Sequence, residues 1–144
     1  MNYVMSLSTD KNIATIGLDA GWDSVSGWYF WNQVVLVDLG IPNSATILVI
    51  AHCDKNEIGN AEPGEIDINA QMLLVLIQCN MANNAMPASV YVATYGQGIE
   101  QFAAALRLAA EQNNVWAHTR IYGYHDSPLE VVPPPNDVAW VEIF

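Results

Sequence analysis

The sequence predicts an α/β fold, a three-layer sandwich with a partly parallel central sheet. Residues 47–51 (ILVIA) form an unbroken apolar run rich in β-branched residues, which is typical of a strand covered on both faces. From this run onward the chain alternates strand, helix, strand, helix, strand with short loops. That alternation favours parallel pairing with right-handed crossovers. At 144 residues, the chain is expected to form a single domain, 1–144.

Strands and turns are predicted for the first part of the chain. Residues 3–8 and 13–18 are strand candidates, and the Thr-Asp-Lys-Asn between them has the turn chemistry of a hairpin. A loop over residues 21–27 leads through the aromatic run WYFW to a strand over 34–39. We expect antiparallel additions to the sheet at both the N- and C-termini.

The alternating part of the chain supplies the central sheet and its helices. Residues 66–82 read as a helix that is apolar almost all round, which predicts burial on more than one side or a place at an interface. Strands are predicted over 89–94 and 115–122, and a last strand over 138–144 follows the stiff Pro-Pro-Pro connector. The helix over 98–112 has one apolar stripe, formed by Ile99, Phe102, Ala103, Leu106 and Ala110.

The excess of acidic over basic residues argues against some classes of binding partner. Asp and Glu number 15 against 4 Lys and Arg, giving a formal net charge of -11 at pH 7. Such a surface repels phosphate backbones and anionic membranes, so we expect no nucleic-acid and no membrane partner. A basic protein partner would be attracted. The sequence leaves the oligomeric state open.

The cysteines and the N-terminus predict a reducing, cytoplasmic location. Two cysteines, Cys53 and Cys79, do not make a disulfide framework, and the first residues have no secretory signal pattern. Cys53 is expected in a loop at a strand end. Cys79 is expected to be a small core side chain within a helix.

His52 is the main candidate site residue, because it stands where the predicted strand 47–51 stops. Ligands and catalytic groups collect outside the carboxyl ends of strands in α/β sheets. The stretch ILVIAHCDKNEIGN, a helix, SVYVATYGQGIEQFAAALRLA and then VWAHT resembles the caspase-like cysteine peptidase superfamily. The closest likeness is to the small bacterial self-processing domains of toxins, and it covers roughly residues 44–121.

The resemblance implies a caspase-like fold with a degenerate site. His52 matches the general base, and the nucleophile position falls on Thr94, where the family has cysteine. Cys53 stands where glycine is usual. Backbone amides near Gly96 and Gly98 would hold the oxyanion. Alternatively, His52 is a strand-end histidine bonded to backbone, and Thr94 simply closes a strand.

Two parts of the sequence have features of a metal site, but each has a simpler interpretation, and no cofactor or metal is expected. The loop from Asp54 to Glu65 has oxygen ligands at spacings similar to a calcium loop, but Ile58 occupies a ligand position. We therefore interpret it as a solvated acidic loop, with calcium binding left open. A zinc site could be formed only by His52, His118, His125 and Asp126. These residues include no closely spaced pair of ligands of the kind that zinc sites usually have.

Function is predicted in two classes. The first is a non-catalytic acidic binding protein with a caspase-like core, such as a bacterial immunity or regulatory protein that masks a basic toxin. Its buried contact would come from the aromatic residues Trp28, Tyr29 and Trp31, which could equally be core. The alternative is a caspase-like hydrolase with His52 as base and Cys53 or Thr94 as nucleophile. The missing cysteine and the negative charge favour the first class.

Overall fold

A computed structural model describes residues 1–54, 56–62, 65–96, 99–124 and 131–144. The predicted fold class is confirmed: a mixed, mostly parallel sheet is flanked by helices, with antiparallel strands at its edges. Within the described ranges the strands are β1 (Asn2–Ser6), β2 (Gly17–Leu18), β3 (Val25–Phe30), β4 (Thr46–Cys53), β5 (Glu57–Gly59), β6 (Asp67–Asn69), β7 (Ser89–Gly96), β8 (Arg120–Tyr124), β9 (Val131–Val132) and β10 (Trp140–Ile143). The helices are α1 (Lys11–Ala14), α2 (Trp31–Val34), α3 (Ala70–Cys79) and α4 (Ile99–Gln112).

The main sheet has the strand order β3-β1-β4-β7-β8-β10, and each neighbouring pair is parallel except β8 with β10. β5 and β6 extend it as antiparallel strands beyond the end of β4. A separate short parallel pair joins β2 to β9. The chain therefore moves from β1 outward to β3, then returns to the other side of β1 to form β4. This reversal of direction places a crevice at the carboxyl ends of β1 and β4.

The core is centred on β4 and β7, whose apolar residues are almost fully buried. Their register pairs Val49 with Val92 and Ile50 with Ala93. Since side chains alternate along a strand, Val49 and Val92 point to one side, which we call the helical face because α3 and α4 pack together there. Ile50 and Ala93 point to the opposite side, which we call the aromatic face. It is covered by a cluster of stacked and edge-on rings, Trp22, Tyr91, Tyr122, Tyr124 and Trp140.

The N-terminal part corrects the sequence-based prediction. The hairpin between residues 3–8 and 13–18 is wrong, because β1 pairs in parallel with β3 and β4 while residues 11–14 are helical. The expected loop at 21–27 contains the start of β3, and the expected strand over 34–39 is wrong, since α2 ends there. Antiparallel pairing is therefore found at the C-terminal edge and at β5 and β6, not at the N-terminus.

In the second half of the chain the element types are confirmed and their bounds move. α4 is confirmed with its whole predicted stripe buried. α3 is shorter than predicted because β6 occupies the residues before it, and Asn69 caps the helix by accepting a hydrogen bond from the Met72 amide at 2.8 Å. β8 begins at Arg120, since the residues from Val115 onward first form a turn. None of the described helices is long and apolar enough to cross a membrane.

Phe102 provides a test of the packing between α4 and the sheet. Its side chain is fully buried on the helix that covers β7 and β8. Phe102→Ala is expected to lower the free energy of unfolding by about 3–5 kcal/mol, because it leaves a cavity as well as removing apolar contact. Urea denaturation measures the change. The control is Leu108→Ala on the exposed side of α4, for which we expect a change within about 0.5 kcal/mol; equal losses would contradict the assigned faces.

Candidate functional site

The candidate site lies at the carboxyl end of the sheet, where the strand order reverses. β1 ends just before Asp10, β4 carries His52 next to its last residue, and Tyr95 is paired with His52 on β7. Parallel strands bring these ends to one edge, so three distant parts of the sequence converge there. The position of His52 is the one that the sequence predicted, although it lies within the strand rather than after it.

His52, on β4, contacts the other two segments through its imidazole ring. Nδ1 lies 3.3 Å from the Tyr95 carbonyl oxygen. Nε2 lies 3.3 Å from Oδ2 of Asp10 and 3.4 Å from Oδ1 of Asn12. The ring is about one-fifth exposed, with 21% of its side-chain surface accessible. All three partner atoms are acceptors, so a neutral ring with one N–H satisfies only one side and a doubly protonated ring satisfies both.

A buried amide holds the loop after β1 against the loop after β5. Asn60 accepts hydrogen bonds from the Ser8 hydroxyl and the Thr9 amide, both at 2.8 Å. Its amino group donates to Oγ1 of Thr9 and to Oε2 of Glu65, both at 2.7 Å. The Ala61 amide adds a hydrogen bond to Oδ2 of Asp10 at 2.7 Å. Asp10, and through it the His52 ring, is thereby fixed in position.

A cavity of about 300 Å³ opens beside His52. This volume is at the small end of the range for ligand pockets. A shallower, open cleft adjoins it at His52 and is lined by the start of α1. The walls of the cavity are formed by Tyr95 and Gly96 on one side and by β5 and its flanking loops on the other. Three carboxylates line it, Asp54, Glu57 and Asp67.

Cys53 is a buried thiol and is not activated. It is the last residue of β4, not part of a loop as predicted, and its Sγ donates a hydrogen bond to the Asp54 carbonyl oxygen at 2.8 Å. Burial is the main cause that raises its pKa to about 11 from 9.0. The Thr94 hydroxyl lowers that pKa and the Asp54 charge raises it, both by less. Such a thiol holds its proton near neutral pH and is a poor nucleophile.

Thr94 and His52 lie on opposite faces of the sheet. The register pairs Thr94 with Ala51, so Thr94 shares the helical face with Cys53, whereas His52 and Tyr95 share the aromatic face. Thr94 is fully buried, and its Oγ1 has no hydrogen-bond partner of normal geometry in the described structure. The structure therefore does not bring the predicted base and the predicted nucleophile together.

Of the two glycines expected to hold an oxyanion, Gly96 is described and Gly98 lies outside the described residues. Gly96 has a φ of 140°, a conformation that residues with side chains rarely adopt. A Cβ atom there would collide with the Cys53 carbonyl oxygen. Gly96 thus allows the ends of β4 and β7 to approach closely.

The loop from Asp54 to Glu65 does not have the form of a calcium loop. Its middle is β5, which pairs with both β4 and β6. Oδ1 of Asp54 accepts hydrogen bonds from the Asn56 and Glu57 amides at 2.7 and 2.8 Å, and Asn60 is held in the network described above. In the described parts of the chain, no three His, Cys, Asp or Glu side chains are grouped to hold a metal ion.

The zinc interpretation is also not supported by the placement of its residues. His118 is exposed in the turn before β8, at the amino end of the sheet, whereas His52 is at the carboxyl end. His125 and Asp126 lie outside the described residues. The prediction that Cys79 is a core residue is wrong, since it is exposed at the end of α3.

The aromatic residues expected to bind a partner are half-buried in and beside β3. Trp28 and Tyr29 belong to the strand, and Trp31 begins α2. Tyr29 stacks on Tyr3 with ring centroids 6.5 Å apart. Each of these side chains packs partly against the core, as the alternative interpretation predicted, and is partly exposed to solvent. Beside them in the sequence, Phe30, Val35, Leu36 and Val37 are exposed apolar side chains.

Sequence reasoning missed Asp10, Asn12 and Tyr95 as site residues. Asp10 and Asn12 were assigned to a hairpin turn, which hid the fact that they follow a parallel strand next to β4. A signal was present: a polar run directly after an apolar strand, as at His52. Tyr95 could not be found, because its place beside His52 depends on the register between two adjacent strands, which the sequence does not specify.

Thiol reactivity tests the environment of Cys53. In a Cys79→Ser variant the remaining thiol is Cys53, and we expect its alkylation at pH 7 to be slower than that of a free cysteine, with a rate that rises towards pH 11. The measurement is the pseudo-first-order rate of iodoacetamide labelling from pH 6 to 10. The Cys53→Ser variant, which retains Cys79, is the matched control. Fast labelling of Cys53 at neutral pH would contradict a buried, unactivated thiol.

Asn60→Ala tests the network behind Asp10. Four hydrogen bonds lose their partner, so we expect the free energy of unfolding to fall by about 1–3 kcal/mol. Chemical denaturation gives the value. Asn56→Ala, an exposed residue of the same loop, is expected to change it by less than about 0.5 kcal/mol. A loss as large in the control would show that the loop, not the network, is responsible.

Comparisons of the chain with protein-family models, with curated proteins and with solved structures find no match. What bears on function is the chemistry of the cavity beside His52: an imidazole held by Asp10, three carboxylates, and a thiol that keeps its proton.

Proposed function

We propose that this chain is a non-catalytic, acidic binding protein with a caspase-like core, and that it engages a basic protein partner through the cavity beside His52. One observation carries the proposal. By the sequence resemblance His52 matches a general base, yet both ring nitrogens face Tyr95, Asp10 and Asn12, and neither faces a nucleophile of the described chain. A position typical of a general base is thus used to hold the cleft together.

The arrangement of the strands supports the caspase-like part of the proposal. The resemblance requires that the strand ending in histidine be followed in the sheet by the strand bearing the nucleophile position. β4, with His52, and β7, with Thr94, are parallel neighbours over eight paired residues. The buried Thr94 and the protonated Cys53 both oppose the hydrolase alternative, in which one of them would attack a substrate with His52 as base.

The charges of the cavity support a basic partner. Asp54, Glu57 and Asp67 line a space large enough for one side chain, in a protein with a net charge of -11. The guanidinium group of an arginine is planar and donates several hydrogen bonds, so it suits a site lined by several carboxylates. The wider negative charge would speed the encounter with a basic protein.

The proposal includes a cellular setting. Both cysteines are free thiols in the structure, which fits a reducing, cytoplasmic compartment. A bacterial immunity or regulatory protein that covers a basic toxin would use this chemistry, because masking a partner requires affinity and a fast encounter but no reaction.

Binding of an arginine-containing peptide tests the proposed function. We expect a short Arg-rich peptide to bind with an affinity that falls as salt rises. Glu57→Gln should weaken it by about 1.4- to fivefold, since a partly exposed charge pair contributes about 0.2–1 kcal/mol. Isothermal titration calorimetry gives the dissociation constant.

The matched control is Glu111→Gln, an exposed acid on α4 that removes the same charge far from the cavity. A smaller effect in the control supports binding in the cavity. Equal effects from both variants would mean that the peptide responds only to net charge. Hydrolysis of a peptide substrate that is lost in His52→Ala would contradict the non-catalytic proposal.

A further inference from the structure

β3 is an open edge of the main sheet. It pairs with β1 on one side, and no other described strand pairs with its far side. None of its residues is fully buried, and Ser26 and Phe30 are exposed. Because alternate backbone groups of an edge strand point outward, β3 presents a row of hydrogen-bonding groups to an added strand.

Charge and proline, two of the usual protections of an edge strand, are missing from β3. Such edges are normally blunted by a charge, a proline, a bulge or a short length. The six residues VSGWYF contain no charge and no proline. An irregularity near the start of β3 leaves Ser26 as an extra residue, since Asn2 pairs with Val25 and Tyr3 with Gly27; from Gly27 to Phe30 the pairing is regular. The opposite edge, β10, is shorter and carries Glu142.

The segment around β3 is free of charge in a chain that is otherwise strongly acidic. Residues 24–37 contain no Asp, Glu, Lys or Arg, and Asp23 and Asp38 lie directly outside them. α2 packs against β3 and β1, so the exposed apolar side chains that follow it continue the same surface. Their exposed fractions are 45% for Val35, 64% for Leu36 and 44% for Val37.

Val37 adds backbone strain to this surface. Its φ is 50°, in the left-handed region that a β-branched residue rarely adopts. Its apolar side chain is nevertheless exposed to solvent.

We propose that β3 and residues 35–37 bind a second copy of this chain, through antiparallel pairing of β3 with β3 across a two-fold axis. The charge distribution selects this occupant. Two chains of net charge -11 repel each other over most of their surfaces, and an uncharged face allows them to meet with the least repulsion. A basic partner would form no charge pairs on this face, and the acidic cavity beside His52 offers it a better site.

The dimer has a defined geometry. An isologous interface places the same strand of both copies at the axis, so the two sheets continue into one another. The main-chain hydrogen bonds of β3 supply direction and register, and the apolar side chains after α2 supply buried area beside the axis. The cavity beside His52 is formed by other loops, so each copy keeps its own cavity.

Sedimentation velocity over a wide range of protein concentration tests the proposal. We expect a reversible monomer–dimer equilibrium whose dissociation constant decreases as salt is raised, because salt screens the repulsion between the two acidic bodies. An interface made of charge pairs would behave in the opposite way. A monomer at every concentration and salt would overturn the proposal.

Two variants locate the interface. Leu36→Asp places a charge in the exposed apolar segment, and Ser26→Glu places one on the exposed side of the edge strand. Each should raise the dimer dissociation constant by roughly tenfold or more, since like charges then face each other at the axis. Circular dichroism checks that each variant is folded, and Leu36→Asp serves alone if Ser26→Glu is not.

The matched control is Leu108→Asp, which makes the same change at a residue 53% exposed on α4. Its dissociation constant should equal that of the unaltered chain. A dimer that Leu108→Asp weakens as much as Leu36→Asp, or that both β3-side variants leave intact, would overturn the proposal. Hydrogen exchange adds a direct readout: amides of β3 should gain protection when protein concentration rises, whereas amides of β10 should not.

Discussion

The parallel pairing of β4 with β7 is the constraint on which the rest of the structure depends. It runs over eight residue pairs in the centre of the sheet, between strands that are buried on both faces. A shift of one residue would move each side chain of a strand to the opposite face. The register therefore decides the chemistry at the carboxyl end: it groups His52 with Tyr95, and Cys53 with Thr94.

Charge is divided along the molecule in a way that separates two kinds of surface. Three carboxylates line the cavity at the carboxyl end, whereas residues 24–37, which include β3 and the residues after α2, contain none. Under the two proposals, the first surface attracts a partner from a distance in a salt-dependent way, while the second acts only on contact. A protein of this kind can present both surfaces because they are on different elements of the sheet.

Sequence patterns predicted the second half of the fold well and the first half poorly. α4 and the strands β4 and β7 were found because each has a clear period or an unbroken apolar run. The turn chemistry of residues 9–12 predicted a hairpin for β1. This was wrong because local turn chemistry gives no information about a partner strand 44 residues away. The same error hid Asp10. His52 was found because its position depends only on the strand that carries it. Whether Thr94 lies on the same face of the sheet as His52 depends on the register between two strands.

Gly96 has a consequence for how the cavity beside His52 meets a ligand. The ends of β4 and β7 approach so closely there that no side chain fits between them. Part of the cavity wall is therefore peptide backbone, which has no rotamers to rearrange. Such a wall loses little conformational entropy when a ligand arrives, and its width is set by the spacing of the sheet. Recognition at this wall would depend on the shape of the incoming group more than on its flexibility.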